Sequence, residues 1–455
     1  MAHAKIDNTE YEFLTAGLVS EGEGENTGCA KCHSANSEDS ALGITLPYDQ
    51  WVLDAHAQSA INPRFLSMYN GTDLSGNQSP LTIYVNQKDY GLIPVRPIID
   101  ATYYGPGFKL DFPETTGNCA TCHEPAASVN APYDTDPNTV AGVGLEGVTC
   151  DFCHKVSDVL LDGSTGLPVI NMPGVLSMEL LRPSGEHQLF LGPYDDVAPG
   201  EDTYSALQNT SQYCAACHSA SFWGTQIYNS YGEWSESQYS NQASEQYKTC
   251  QSCHMPALDI DHFARIENGG QIRDPETIYS HKMLGGTDVS LLENTAELNV
   301  TTTRDGNLVT VVVSIYNANA GHDMPTDSPL RQILLSVKAT DLNGNAIPLK
   351  SGPTLPAWTG DYAETPGIYF AKILEELWTD VSPTASYWMQ TRLIEDTRLP
   401  ALETQTAEFV FEIPENSAAT INTSLVYRRA FYDIMQQKGW NTPDILMEQQ
   451  IIEIE

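Results

Sequence analysis

Cys29-Ala-Lys-Cys32-His33 is the first of five pentapeptides of one pattern. The others are Cys119-Ala-Thr-Cys122-His123, Cys150-Asp-Phe-Cys153-His154, Cys214-Ala-Ala-Cys217-His218 and Cys250-Gln-Ser-Cys253-His254, and together the five use all ten cysteines of the chain. On one helical turn, positions i, i+3 and i+4 share a face, so two thiols and an imidazole converge on a single object. That spacing is the attachment signature of c-type haem: two thioethers reach two vinyl groups on one porphyrin edge, and the histidine turns under the ring to hold iron. A zinc site would assemble four ligands from paired Cys-x-x-Cys elements and would not need a histidine after every second cysteine. A disulfide framework belongs to short chains with too little core, and this chain has 455 residues. The sequence therefore predicts five covalently bound haem c groups, with His33, His123, His154, His218 and His254 as proximal iron ligands.

Working outward, the motifs span residues 29 to 254, and the character of the chain changes beyond them. The expected fold class is α+β. A haem-organised, loop-rich and partly helical cytochrome region covers 1–289, and an antiparallel β-sandwich covers 290–455. The period-two stretches 307–315, 332–339, 407–413 and 423–428 read as strands, with Asp305-Gly306 and Asn343-Gly344 as hairpin turns. Residues 1–28 read as an acidic, loosely held arm. Tyr48 to Met68 reads as helix, and the aromatic series Trp223, Tyr228, Tyr231, Trp234, Tyr239 and Tyr247 as helix packed against porphyrin.

What fills the second axial face of each iron separates a wire from an enzyme. Of the eleven histidines, five are proximal, leaving His3, His56, His187, His262, His281 and His322 as distal candidates. His322 lies in Ala320-Gly321-His322-Asp323-Met324-Pro325-Thr326, just after a strand, where Gly and Pro fix a tight loop and project the imidazole off the sandwich. The β domain is thereby expected to donate a ligand to the cytochrome region. His3, on the arm, is the weakest candidate and the one able to reach a neighbouring protomer.

The formal charge is −37, from 59 acidic against 22 basic residues. Such a field argues against nucleic acid and anionic membrane surfaces and favours cationic partners, bound cations or solubility in salt. No apolar run approaches a membrane span; the longest, near Leu308 to Ile315, reads as a strand. Because haem c is attached outside the cytoplasmic membrane, a periplasmic or extracellular location is expected, with Met1-Ala2-His3 opening a mature or trimmed chain. Asp134-Thr-Asp136-Pro-Asn138 begins like a calcium loop, but Thr139 stands where an EF-hand needs Gly and Leu145 where it needs Glu. That argues against an EF-hand and leaves a looser Ca2+ site as the second cofactor expectation.

Cys250-Gln-Ser-Cys253-His254-Met255-Pro256, Trp51 with Ala55-His56-Ala57, Gly192-Pro193, Ser280-His281 with Gly285-Gly286, and Gly321-His322-x-x-Pro325-Thr326 resemble the multihaem cytochromes c grouped around hydroxylamine oxidoreductase and the small tetrahaem electron carriers. The resemblance covers most of the chain. It implies distal ligation by His56 and His322, and electron transfer among closely spaced, mostly bis-histidine haems to redox partner proteins or extracellular acceptors. Some relatives polymerise into filaments in which a histidine of one subunit ligates haem in the next. Others act on nitrogen or sulfur compounds at an open haem, and an oxidoreductase of that kind is the alternative expectation. The chain departs from nitrite reductases of similar haem count, which place lysine in one motif; all five motifs here end in histidine.

Overall fold

The computed structural model describes residues 7–18, 28–96, 103–184, 188–196 and 204–455. Two compact units share the chain. Unit 1 comprises 1–71, 107–220 and 248–284; unit 2 comprises 72–106, 221–247 and 285–455.

Unit 2 is built on two antiparallel sheets. One runs in the order Leu349–Ser351, Thr404–Glu412, Leu308–Asn317, Ala296–Asp305; the other runs Thr391–Asp396, Gly367–Glu376, Gln332–Asp341, Ala419–Arg428, Ile445–Ile454, with Ala346–Ile347 paired onto Gln332–Asp341. The sequence periodicity becomes burial directly. Val309, Val311, Val313 and Ile315 alternate inward from one sheet, joined by Phe409 and Phe411 of the paired strand, and share a core with Ile333, Leu335 and Val337 of the other. Gly306 takes φ 59° and Gly344 φ 81°, the left-handed conformations those two turns require. The mixed α+β class and the C-terminal antiparallel sheets follow the sequence expectation.

Unit 1 holds all five pentapeptides and little regular structure: helices of one or two turns, 3₁₀ segments and the short pair Val156–Val159 with Met178–Leu180. Fully buried polar side chains organise its loops. Glu146 accepts hydrogen bonds from the backbone N–H groups of Ala16, Gly17 and Leu18 and from the Thr15 hydroxyl. Asp151 accepts from Leu14 N–H and Tyr11 O–H and pairs at 2.9 Å with the equally buried Lys155. Residues 7–18 are therefore tied down, which corrects the loosely held arm for that stretch: the buried carboxylates supply acceptors to a backbone that makes no strand or helix of its own.

Two further expectations change. Tyr48 to Met68 is two helices, Pro47–Trp51 and Pro63–Asn70, separated by turns, because Asp54 takes the His56 N–H and Asn62 caps a fresh start before Pro63. The aromatic series is α-helical only over Ser230–Glu236, with Tyr239 in the 3₁₀ turn Gln238–Ser240, and it groups with unit 2. There Tyr239 O–H donates to Ala318 O at 3.0 Å, and Trp223 indole N–H donates to Trp388 O at 2.9 Å.

Candidate haem attachment and iron-ligand sites

The motif helices are Ala30–His33, Ala120–His123, Cys150–Cys153, Gln212–His218 and Cys250–His254. Closure of each turn is visible in the first three motifs, where His33, His123 and His154 N–H donate to the carbonyls of Cys29, Cys119 and Cys150 at 2.9, 3.1 and 3.0 Å. Thr149 and Thr249 cap two of the turns through their hydroxyls. On a turn so closed, positions i, i+3 and i+4 share a face, as attachment of one haem requires.

Ring nitrogens show what the imidazoles are prepared to do. Nδ1 of His33, His123, His154 and His254 faces the carbonyls of Phe263 (2.9 Å), Ser59 (3.4 Å), Leu191 (2.6 Å) and Leu284 (2.5 Å). Nδ1 of the distal candidates does the same: His281 to Tyr279 O at 3.1 Å, His322 to Asp323 O at 2.9 Å, and His56 to the Asp54 carboxylate at 2.6 Å. A hydrogen bond at Nδ1 fixes the tautomer and leaves Nε2 with the lone pair, which is how metal-binding histidines are oriented. Burial, then the nearby His154, pushes His281 down to about 4, so it is a neutral imidazole at neutral pH. His154 is likewise lowered, chiefly by burial.

Two ring pairs have the separation expected across a metal. His154 and His281 lie with centroids 6.4 Å apart and planes at 26°; His56 and His218 lie 6.1 Å apart at 66°. Two metal–nitrogen bonds of about 2.0 Å and two nitrogen-to-centroid offsets of about 1.1 Å sum to roughly 6 Å, the separation at which each pair stands. The residues present thus fit the implied cofactor.

His262 is arranged differently. It is buried, with Nδ1 2.7 Å from Asp261 and Nε2 3.3 Å from Asp39, so both nitrogens face carboxylates. His3 and His187 lie outside the described residues.

The thiols of different motifs meet. Cys29 lies beside Cys150, as do Cys214 beside Cys250 and Cys217 beside Cys122. Tyr213, beside motif four, donates to the Cys153 carbonyl at 2.9 Å and links motif three to motif four. All five motifs therefore belong to one connected cluster in which motif four touches two, three and five.

His322 belongs to unit 2, in a loop fixed from several directions. The buried Asn317 amide donates to the carbonyls of His322 and Leu399, each at 3.0 Å, and its oxygen accepts from Ala320 N–H. Met324 and Leu399 exchange two backbone hydrogen bonds. Arg398 pairs with Asp323 at 3.0 Å, with Asp396 at 2.8 Å and with the buried Glu233. Gly321 sits at a close approach, since a Cβ there would stand 3.1 Å from the Tyr239 ring.

Sequence reading missed these supporting residues. Asp54, two positions before His56, left a readable Asp-x-His signal; Phe65, stacked on the His123 ring at 3.9 Å and 4°, left none, because the contact is purely tertiary.

No family model and no curated protein matches the chain. Among solved structures, it is similar to a penta-heme cytochrome c552 from Thermochromatium tepidum, with 20% identity over 93% of this chain and 99% of that one and a TM-score of 0.60, which shows a shared fold. A PapD-like domain of human CEP192 (9% identity, 36% of this chain and 84% of that chain, TM-score 0.15) and the Fcho1 Mu homology domain of Danio rerio (8%, 36% and 44%, TM-score 0.13) also align, at scores that carry no argument.

Proposed function

We propose that this protein is a multihaem c-type cytochrome that carries electrons, holding five haem c groups through the cysteine pairs 29/32, 119/122, 150/153, 214/217 and 250/253. The observation that carries the reading is the two facing imidazole pairs, His154 with His281 and His56 with His218, each at the separation of ligands sharing one iron. The shared fold with a protein described as a penta-heme cytochrome c552 agrees with it. Bound haem supplies a one-electron iron couple; the protein sets spacing, axial ligation and local polarity. On this reading His33, His123, His154, His218 and His254 are proximal ligands. His56 and His281 are distal ligands for motifs four and three, and His322 is a ligand contributed by the β unit. His262 ranks below these three because Asp39 faces its Nε2. The contacts among motif thiols make one array with a branch at motif four.

Covalent haem c and the strongly acidic surface support an exported location, periplasmic or extracellular, and redox partners of cationic character. Among the described residues no helix is long and apolar enough to cross a membrane. Assembly into a filament through His3 is a further part of the proposal. Electron microscopy of the native protein beside a His3→Ala variant tests it, and filaments equally abundant in both would refute that role.

The central test is intact mass after denaturation together with electron paramagnetic resonance of the oxidised protein. The expected result is five covalent haems and low-spin signals from bis-histidine iron. A mass short of five haems overturns the attachment assignment. A dominant high-spin ferric signal overturns the electron-carrier reading in favour of an oxidoreductase with an open iron acting on a small nitrogen or sulfur compound.

A further inference from the structure

Phe65 lies closely face to face with the His123 imidazole, ring centroids 3.9 Å apart and planes within 4° of parallel. Two neutral rings prefer offset or edge-on packing at about 4.5–7 Å, because their electron-rich faces repel. An imidazole that gives its lone pair to a metal cation is polarised, and a phenyl face then attracts it as it attracts other cationic groups. The hydrogen bonds of the motif histidines differ as well. Nδ1 of His33, His154 and His254 stands 2.9, 2.6 and 2.5 Å from a main-chain carbonyl, but His123 Nδ1 stands 3.4 Å from Ser59 O. At that length a hydrogen bond directs a ring only weakly.

Phe65 is itself held firmly within unit 1. It sits on the helix Pro63–Asn70, whose start Asn62 caps by accepting from the N–H groups of Arg64 and Phe65 at 2.9 and 3.3 Å. Tyr69 follows four positions later on the same helix face, 6.1 Å away ring to ring, and donates its hydroxyl to Thr116 O at 3.1 Å. Phe108 stacks on Tyr69 at 5.6 Å and 12°, and Phe112 packs on Phe108 at 5.4 Å. Tyr69 and Phe108 are buried, so close packing fixes the row. The main chain of the histidine is pinned too, since the Ser59 hydroxyl donates to His123 O at 2.6 Å. A packed row of aromatic rings thus ends on the imidazole of motif two.

On the reading that His123 is the proximal ligand of motif two, we propose that Phe65 is a positioning residue for that iron: its ring fixes the rotation of the His123 imidazole about the bond to the metal. The planes of the axial imidazoles orient the iron d orbitals, so the g values of a low-spin ferric haem follow the ring angle. A ring free to rotate takes a spread of angles and broadens its signal. Phe263 offers the contrasting case. It lies parallel to His33 but 6.0 Å away, and the hydrogen bond that directs His33 goes to the main-chain carbonyl of Phe263, which any side chain at that position leaves in place.

The test is electron paramagnetic resonance of the oxidised, haem-loaded full chain, native beside Phe65→Leu, Phe65→Tyr and Phe263→Leu, with haem at each cysteine pair scored by mass spectrometry of haem peptides. Phe65→Leu is expected to keep haem at Cys119 and Cys122 and to move or broaden one signal, distinct from those that His281→Ala and His56→Ala convert to high spin. Phe65→Tyr, which keeps the stacked ring, is expected to match the native spectrum, and Phe263→Leu to leave every signal in place. A native-like Phe65→Leu spectrum with haem present at motif two overturns the positioning role and leaves the haem assignment standing. The same change in Phe65→Tyr or in Phe263→Leu would come from general loosening and also overturns the role. Native protein without haem at Cys119 and Cys122 overturns the ligand reading, and the positioning role with it. If Phe65→Leu fails to fold or to take up haem, Phe65→Met is read by the same criteria.

Discussion

His154 and His281 hold their imidazole planes within 26° of parallel at a centroid separation of 6.4 Å, each with Nδ1 against a main-chain carbonyl. A hydrogen bond at Nδ1 keeps the Nε2 lone pair of each ring available to a metal. Removing one ring should leave the other holding a five-coordinate iron. The His281→Ala protein is expected to show a single new high-spin ferric signal with unchanged haem content, and His56→Ala a second, independent one. Low-spin intensity equal to that of the native protein in both variants would remove the pairing.

Asp54 accepts from His56 Nδ1 at 2.6 Å and is itself buried, so it makes the imidazole a stronger electron donor. Asp54→Asn keeps the shape and removes the charge. Oxidised iron should lose more stabilisation than reduced iron, and one midpoint potential is expected to rise, by about 60 mV for each tenfold change in relative affinity. A titration in which every potential stays in place, or in which one falls, would show that Asp54 does not act through His56.

Arg398 joins three acidic side chains beneath the His322 loop, and both it and Glu233 are largely sequestered from water. Truncating one member of a buried ion network leaves its partners uncompensated, typically destabilising by about 3–5 kcal/mol. Arg398→Ala is expected to lower the melting temperature of unit 2 and to loosen the loop that presents His322. His322→Ala should leave the melting of unit 2 nearly unchanged while converting one iron to high spin. Equal spectra for native and His322→Ala proteins would remove this histidine from the ligand set.

Lys438 is fully buried, and its amine reaches the carbonyls of Thr72 at 3.0 Å and Pro106 at 2.5 Å. Burial pushes it down to about 7 from the ordinary lysine range. Because the folded value lies below the unfolded one, the unfolded chain binds more protons between pH 7 and the ordinary lysine pKa of about 10.4, and the Lys438 contribution to stability rises with pH across that window. Compared with Lys438→Met, the native protein should gain stability from pH 6 to 10. The variant itself should be destabilised by about 1–3 kcal/mol through two orphaned carbonyls. Parallel pH profiles for the two proteins would show that Lys438 keeps its charge in the fold.

The amino-acid sequence by itself determined whatever depends on short range. The five helical turns with two thiols and an imidazole on one face follow from i, i+3, i+4 spacing, and the alternating valines of 308–315 and the Asp305-Gly306 and Asn343-Gly344 turns announce the C-terminal sheets. Asp54 beside His56 was legible for the same reason, since the pair is local. Tertiary structure alone decided which imidazole faces which: His281 against His154 and His56 against His218 are juxtapositions of residues far apart in the chain, fixed by packing and not by any local preference. It also decided that 72–106 and 221–247 group with the β unit, that Asp39 occupies the second nitrogen of His262, and that Glu146 and Asp151 tie down residues 7–18. Local spacing records what a turn of helix can present; which buried charges and lone pairs meet is set by the loops that return to satisfy them, and those contacts carry no periodic trace in the sequence.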